Sequence, residues 1–453
     1  MMHNVEATAV AANDTPSIRA PTPVEISAHS RISLAVFVLA YLLSIADRHL
    51  LSMLVEPIKA DLHLNDIEIG LLQGFAFSAL YAVVGVPLGM LADRMSRKRI
   101  MAAGVIVWSA CTAFCGLSSN FLQIFLMRMG VGAGEAALTP AVHSSLSDSF
   151  PRNKLAGALS VYMLGTTIGA GFSLILGGAI VEAISREGAM TLPVFGTLPA
   201  WRAAFVLIAL PGIIVAALLL LTKEPVRTNA KPVARTFDIR PLLACMRANS
   251  RVFMSIYATS VLLAAIGGLM VAWYPVHLMR KFGLGPAEVG HRIGWIFMVA
   301  GTIGTLSAGR ISGWLADRGS HDANMRLLAI IGLAMTIPAF AAPLMPDLFS
   351  FTLCFIPLSL LFFGYFTCAS AAVQLATPSA LRATNAGVFL LANSMLGIST
   401  GSAIVPIVDG WIYGRSTDLS IALAIVSAVC SLAAGIFAIW GRRQYGERVA
   451  ALG

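Results

Sequence analysis

The chain has 453 residues, of which 57% are apolar and only 12% are charged. Soluble proteins carry roughly a quarter charged residues, so this composition excludes a globular domain that faces water on all sides. The formal net charge of +9 does not indicate nucleic-acid binding, because no aromatic or basic motif gathers that charge on one exposed face.

Apolar stretches long enough to cross a bilayer recur along the chain. A crossing helix needs about 20 residues, because the hydrocarbon core is ~30 Å thick. Stretches of this kind without Asp, Glu, Lys or Arg are Leu155–Val181, Ala203–Thr222, Val252–Val276, Leu348–Leu381 and Ile421–Gly441. Only helices satisfy their own backbone polar groups in such an environment. The pattern predicts an all-α integral membrane protein with twelve helix cores, at 31–54, 67–92, 99–117, 121–147, 154–183, 201–222, 251–279, 289–316, 326–345, 348–377, 382–409 and 418–441.

The predicted helices form two halves of six. We expect a disordered cytoplasmic tail (1–30), a first bundle (31–222), a cytoplasmic linker (223–250), a second bundle (251–441) and a cytoplasmic C-terminal tail (442–453). The PLLACMRA stretch of the linker is amphipathic enough to lie on the membrane surface. The first residues lack the features of a cleaved secretory signal, so the first helix is expected to direct insertion.

Basic residues indicate the orientation. Most Lys and Arg fall in the loops on the side of the termini, and the opposite side carries only Lys59, Arg186, Arg202, Arg280, Lys281, Arg292 and Arg415. By the positive-inside rule, both termini are predicted to lie in the cytoplasm, with the protein in the cell membrane.

A short repeat supports the division into halves. GMLADR (Gly89–Arg94) follows the second predicted helix, and GWLADR (Gly313–Arg318) follows the eighth. We interpret the repeat as a gating motif, with residues Gly89, Asp93, Arg94, Arg97, Gly313, Asp317 and Arg318. The alternative is a basic loop that only sets topology. Duplicated six-helix halves are typical of transporters.

The first copy, GMLADRMSRKR (Gly89–Arg99), resembles the G-x-x-x-D-R-x-G-R-K-R signature of the major facilitator superfamily, with Ser96 in place of its second glycine. Helix four carries RMGVGAGEA (Arg128–Ala136), similar to another motif of that family, and helix five is rich in glycine, as in its antiporters. Small residues allow close helix crossing. We expect that role for Gly132, Gly134, Gly165 and Gly169.

The segment Ser44–Arg94 is similar to the Spinster-type branch of this superfamily. It contains Asp-Arg in helix one and an E-P-I-K element, and helix four adds R-x-G-x-G-x-G-E-A. The resemblance covers about residues 31–441 and implies two pseudo-symmetric six-helix bundles. It further implies a secondary transporter, often proton-coupled, with lysophospholipids and sphingoid lipids as substrates of the eukaryotic members.

Charged residues at membrane depth are costly and therefore candidates for function. At ~1.5 Å per residue, Asp47 in helix one and Arg128 in helix four are predicted to lie at similar depth. Glu135 follows two helical turns after Arg128 and faces the same way. We expect Asp47 and Glu135 to exchange protons, with Arg48 and Arg128 as switching partners or anchors for an anionic substrate. The alternative is a permanent Asp47–Arg128 ion pair that only fixes packing.

Other intramembrane polar residues have weaker claims. His49 and His143 are as consistent with packing as with proton transfer, and Arg310 is expected to reach the cytoplasmic interface. The second half offers an uncharged, largely aromatic wall of Trp273, Tyr274, Phe362, Phe363, Tyr365, Gln374, Asn385 and Asn393. Such a two-sided cavity suits an amphiphile with an anionic or zwitterionic head, or a hydrophobic organic acid.

The sequence therefore predicts an alternating-access transporter whose partners are a small-molecule substrate, protons and the lipid bilayer. The alternatives are a multidrug exporter, an organic-acid/proton symporter or, outside transport, a ligand-binding membrane sensor. No catalytic motif indicates an enzyme, and the six scattered cysteines do not indicate a metal site. We expect a monomer without cofactor and without nucleic-acid binding.

Overall fold

A computed structural model describes residues 28–150, 152–193, 196–224, 239–413 and 418–452. The helices are α1 (Ala28–Met53), α2 (Val55–Leu62), α3 (Asp66–Gln73), α4 (Phe75–Arg94), α5 (Arg97–Gly116), α6 (Phe121–Glu135), α7 (Leu138–Ser149), α8 (Arg152–Arg186), α9 (Ala200–Ala209), α10 (Pro211–Leu221), α11 (Arg240–Ala248), α12 (Ser250–Phe282), α13 (Pro286–Asp317), α14 (Ala323–Leu344), α15 (Leu348–Ala376), α16 (Arg382–Ala392), α17 (Ser399–Tyr413) and α18 (Ser420–Leu452). A 3₁₀ turn (Ser379–Leu381) precedes α16, and a π-helical turn (Asn393–Ile398) joins α16 to α17.

Eleven segments of the described chain are long and apolar enough to cross a membrane. The eighth predicted helix, α13, is not one of these segments, although it is 32 residues long. It contains Arg310 and repeated glycines, which lower its hydropathy. It nevertheless packs along α8 and α15, as a membrane-spanning neighbour does.

Close backbone approach coincides with a break in one of the predicted helices. The second predicted helix consists of α3 and α4, which meet at Gly74. A Cβ atom at Gly74 would lie 2.7 Å from the Cα of Ser399, and one at Gly70 would lie 2.6 Å from the carbonyl oxygen of Ser402. Only glycine allows α17 to pass this close, so these two positions bring the two halves of the chain into contact.

Three other predicted helices are also divided. Helix four consists of α6 and α7, helix six of α9 and α10 with Pro211 at the second start, and helix eleven of α16, the π turn and α17. Proline is tolerated at the first position of a helix because the missing N–H has no partner there. The divisions fall inside apolar stretches, where periodicity gives no boundary signal.

Helix starts follow local capping chemistry. Asn65 accepts a hydrogen bond from the N–H of Glu68, and the Glu68 carboxylate accepts one from the N–H of Asn65. This reciprocal capping box satisfies two free donors at the start of α3. Asp347 caps α15 in a similar way through the N–H of Ser350.

Some features at the membrane surfaces were not predicted. A two-stranded antiparallel hairpin, β1 (Ala189–Leu192) and β2 (Gly196–Pro199), connects α8 to α9. The predicted C-terminal tail (442–453) is, through Leu452, a continuation of α18. In the predicted linker, α11 is the amphipathic segment, whereas residues 225–238 and most of the predicted N-terminal tail lie outside the described residues.

Glycines on α8 and α13 bring the two halves together. A Cβ at Gly294 would lie 2.5 Å from the carbonyl oxygen of Gly171, and one at Gly290 would collide with the carbonyl of Leu174. The two backbones therefore touch with no side chain between them, the arrangement that small residues permit in membranes. These crossings lie in the second half of α8 and the first half of α13.

Candidate functional site

The central feature of the first half is an ion pair between α1 and α6. Arg48 Nη2 lies 2.5 Å from Glu135 Oε2, and Arg48 Nε donates to the same oxygen at 2.7 Å. Ser44, one turn before Arg48 on the same helix face, donates to that oxygen at 2.6 Å. The Glu135 side chain is only 1% exposed, whereas that of Arg48 is 35% exposed.

Aromatic rings complete the surroundings of Arg48. Its guanidinium carbon lies 4.4 Å from the ring centroid of Phe77 and 5.3 Å from that of Tyr81, both on α4. Cations are attracted to the faces of such rings. Arg48 is therefore oriented by one carboxylate and two rings, while part of its surface stays accessible to a ligand.

Asp47 and Arg128 are buried but do not form the alternative ion pair. The hydroxyl of Thr112 on α5 donates to Asp47 Oδ2. Among the described residues, Asp47 Oδ1 and the Nε and Nη1 atoms of Arg128 have no hydrogen-bond partner. Arg128 lies close enough to act electrostatically on Asp47. A static Asp47–Arg128 bridge is thus not the arrangement of this conformation.

Unsatisfied charged groups of this kind are expensive. A buried donor or acceptor without a partner costs about 1–3 kcal/mol, and charged groups cost more. Asp47 and Arg128 are 2% and 1% exposed, respectively. Packing alone does not explain why a membrane helix keeps them, and such groups mark candidate ligand or proton sites.

The two histidines next to this site make packing contacts. His49 Nδ1 lies 2.7 Å from the hydroxyl of Ser173 on α8, at hydrogen-bond distance, and the same hydroxyl lies 3.0 Å from the carbonyl oxygen of Ala170. His143 lies edge-on to the ring of Tyr162, with centroids 5.9 Å apart. Both contacts join neighbouring helices of the first half.

The four glycines expected at helix crossings lie against neighbouring helices. Added Cβ atoms at Gly134, Gly165 and Gly169 would lie 2.7 Å from Gly104 O, 2.9 Å from Tyr41 and 2.8 Å from Leu42, respectively. At Gly132 the added atom would collide with the carbonyl of Phe77. These crossings hold α1, α4, α5 and α8 close around the charged residues.

The first copy of the repeated motif is tied into its own half. Arg97 forms an ion pair with Asp148 on α7 at 2.6 Å. The backbone N–H of Arg97 donates to Glu224 at 2.7 Å, and the hydroxyl of Ser96 donates to the same carboxylate at 2.5 Å. Gly89 lies within α4, but the side chains of Asp93 and Arg94 are outside the described part of the structure.

The second copy is arranged differently. Gly313, Asp317 and Arg318 are exposed at the end of α13. The guanidinium of Arg318 stacks on the ring of Trp314, 3.5 Å from its centroid. The motif is repeated in sequence, but its surroundings are not.

Sequence reasoning missed a charged cluster that joins the two halves. Arg280, at the end of α12, lies 2.7 Å from Glu56 on α2 and donates through both terminal nitrogens to Asp66 at 2.9 Å. Lys59 contacts Asp66 at 2.5 Å. We call Glu56, Lys59, Asp66 and Arg280 the Arg280 cluster; only the E-P-I-K element hinted at it.

The predicted wall of the second half is mostly packed interior. Trp273 donates to the carbonyl of Ser402 at 2.6 Å. Asn385 accepts from Tyr257 at 2.6 Å, and Asn393 accepts from Ser260 at 2.8 Å. Tyr274 and Tyr365 are also buried, Phe362 and Phe363 are partly buried, and Gln374 is exposed.

Membrane-spanning helices in two halves, with buried charge at the centre of one half, define a multi-pass membrane transporter. The family model of the Major Facilitator Superfamily matches residues 37–401. The chain belongs to this superfamily, and Spinster proteins are among its relatives, in agreement with the resemblance seen in the sequence. The predicted fold class is thereby confirmed, as is the prediction that the protein is not an enzyme.

Two relatives and one solved structure resemble this chain. An MFS-type efflux pump of Mycolicibacterium smegmatis is 28% identical over 415 residues, which cover 88% of this chain and 91% of the relative. The mouse sphingosine-1-phosphate transporter SPNS2 is 29% identical over 258 residues, covering 54% and 43%. A bacterial homologue of the human lysosomal transporter Spinster, crystallised inward-facing and unoccupied, has a TM-score of 0.76 at 24% identity, covering 94% of this chain and 98% of its own.

The relatives differ in how much of their length is matched. The chain spans about half of the length of the Spinster proteins of Xenopus tropicalis and Drosophila melanogaster, at 52% and 48%. It spans 86% of a probable L-galactonate transporter of Escherichia coli, at 24% identity. The relatives' names therefore include efflux, lipid transport and sugar-acid transport.

Proposed function

We propose that this transporter is a proton-coupled, alternating-access carrier for an amphiphilic or anionic small molecule. One observation carries the proposal: the buried carboxylate of Glu135 holds the partly exposed Arg48 in an ion pair, while Asp47 and Arg128 nearby lack hydrogen-bond partners for some of their buried atoms. Four charges close together in the membrane are more than a static pair requires.

The proposed coupling uses the Arg48–Glu135 pair as the switch. Protonation of Glu135 removes the charge that holds Arg48, so the guanidinium is released toward a ligand anion or toward Asp47. Loss of the proton restores the pair. Asp47 is the second proton site, because its free oxygen is placed to accept a proton or a returning cation.

The substrate class follows from the two sides of the interior. Arg48 and Arg128 supply cationic donors, and Arg48 keeps an accessible surface beside Phe77 and Tyr81. The second half contributes the partly buried aromatic pair Phe362 and Phe363. A lysolipid-like or sphingoid-like molecule with an anionic head fits both, in line with the sphingosine-1-phosphate transporter among the relatives.

Two competing functions predict different fluxes. A multidrug exporter, favoured by the resemblance to the mycobacterial efflux pump, would move lipophilic cations outward in exchange for protons that move inward. An organic-acid symporter, favoured by the galactonate relative, would move small anions together with protons. A membrane sensor would bind ligand without moving it.

The proposal is tested in proteoliposomes that contain a pH-sensitive dye. Lysolipids, sphingoid bases, aromatic acids and cationic drugs are added in turn, and proton movement is recorded beside radiolabel flux. We expect a proton signal with an anionic amphiphile that disappears in Asp47→Asn and in Glu135→Gln. Glu447→Gln, which alters an exposed carboxylate paired with Arg443 on α18, is the matched control.

Either of two results would overturn the coupling mechanism. One is wild-type proton movement in both carboxylate variants. The other is substrate flux that proceeds without any proton signal, which would indicate uniport and leave the ion pair as a packing element. Binding without flux would indicate a sensor.

A further inference from the structure

One face of α13 carries an apolar stripe that ends in cationic and aromatic residues. Val299, Ile303 and Leu306 are each about half exposed, and Arg310 and Trp314 follow them on the same face. The spacing of four, three, four and four residues keeps all five in one row along the helix. Arg318, one turn further on, stacks on Trp314 at 3.5 Å.

This row faces away from the neighbouring helices. Gly301 and Gly304 lie against Phe363 and Leu360 of α15, and Gly294 lies against α8. Arg310 follows Gly304 by six residues, which places it about 120° around the helix from the packed face, at 100° per residue. In a membrane protein this outer face meets lipid.

The charge of Arg310 is not neutralised within the described structure. Among the described residues, none forms an ion pair with it, and it lies seven residues before the end of α13. That distance is about 10 Å along the helix axis. An unpaired arginine on a lipid-facing surface is costly unless it reaches a polar partner at the interface.

We propose that Arg310 and Arg318 bind the phosphate of one anionic phospholipid whose acyl chain lies along Val299, Ile303 and Leu306. Trp314 lies between the two arginines, where an indole ring suits the head-group region. With the exposed carboxylate of Asp317, this end of α13 has a formal net charge of +1 over residues 310, 317 and 318. That charge matches a singly charged phosphodiester such as phosphatidylglycerol.

Native mass spectrometry of the purified, delipidated full chain tests this site. Phosphatidylglycerol and phosphatidylcholine with the same acyl chains are titrated into wild type, Arg310→Gln and Arg318→Gln. We expect each variant to bind phosphatidylglycerol about fivefold more weakly, since a basic residue near an anionic membrane surface contributes about that factor. Phosphatidylcholine binding stays unchanged.

The control variant is Arg443→Gln, which removes an exposed arginine that already pairs with Glu447. Equal phosphatidylglycerol binding by wild type and both α13 variants would overturn the proposal. Competition by millimolar inorganic phosphate would also overturn it, because the site would then recognise a free anion and not a lipid. Arg318→Gln keeps the test valid if Arg310→Gln fails to fold, because Arg318 lies at the exposed helix end.

Discussion

The charged site of the first half and the buried amides of the second half satisfy their polar atoms differently. The first half buries Asp47 and Arg128 with some of their atoms unpartnered, next to the Arg48–Glu135 pair. The second half buries Asn385 and Asn393, whose side chains are hydrogen-bonded to Tyr257 and Ser260. Duplicated halves therefore need not bury the same kinds of polar group.

The strongest test of this contrast is Glu135→Gln. The amide cannot release Arg48 by taking up a proton, so proton-driven accumulation in proteoliposomes is expected to fall at least tenfold. Substrate exchange in the absence of a gradient should persist, since the amide still occupies the site. Undiminished accumulation would show that Glu135 is not the carboxylate that couples transport to protons.

Arg128→Met is expected to lower substrate affinity about tenfold, by removing a cation that a ligand can contact. Breaking a formed buried ion pair costs about 3–5 kcal/mol. Because Arg128 has no such pair here, the melting temperature should change little. A large fall in melting temperature with unchanged affinity would favour the packing role instead.

Arg280→Gln tests the contact between the halves. Removing the guanidinium leaves Glu56 without this partner and Asp66 with Lys59 alone, which should weaken the contact between the halves by about 1 kcal/mol, because the pairs are partly exposed. Hydrogen exchange of the α3 amides should then become about fivefold faster. Arg292→Gln, in an exposed pair with Glu288 on α13, is the control and should leave that exchange unchanged.

The smallest effect on transport is expected from the second half. Asn393→Leu leaves the Ser260 hydroxyl without its acceptor, at a cost of about 1–3 kcal/mol. Thermal unfolding should detect this loss, while the number of protons moved per substrate stays the same. A changed proton ratio would show that the second half shares in the coupling.

The spanning helices were predictable because their length is set by the bilayer and their charges are few. Divided helices were not, since Gly74 ends α3 through its contact with α17, about three hundred residues away in sequence. The strands of the short β hairpin have no strong alternation of polar and apolar residues. The hydropathy of α13 is low, and its packing along α8 and α15 is what indicates that it spans the membrane.

The members of the charged site were predictable, whereas their pairing was not. The depth of a residue in a spanning helix follows from its position along the helix. On that basis the sequence predicted one site formed by Asp47, Arg48, Arg128 and Glu135. Consecutive residues differ by about 100° in direction. Whether Asp47 or Arg48 points to α6 therefore depends on the rotation of α1, which tertiary packing decides. The Arg280 cluster was not predicted, because the partners of Arg280 lie in the other half of the chain.

The π-helical turn at Asn393–Ile398 changes the direction in which the side chains of the following helix, α17, point. Relative to an uninterrupted α-helix, one extra residue rotates the next segment by about 100°. That rotation directs Gly401 toward the carbonyl of Ala265 and Ser402 toward Trp273. Deleting one residue from the turn would rotate the surface of α17 that meets α12 by about 100°, so the length of this segment is as constrained as its composition.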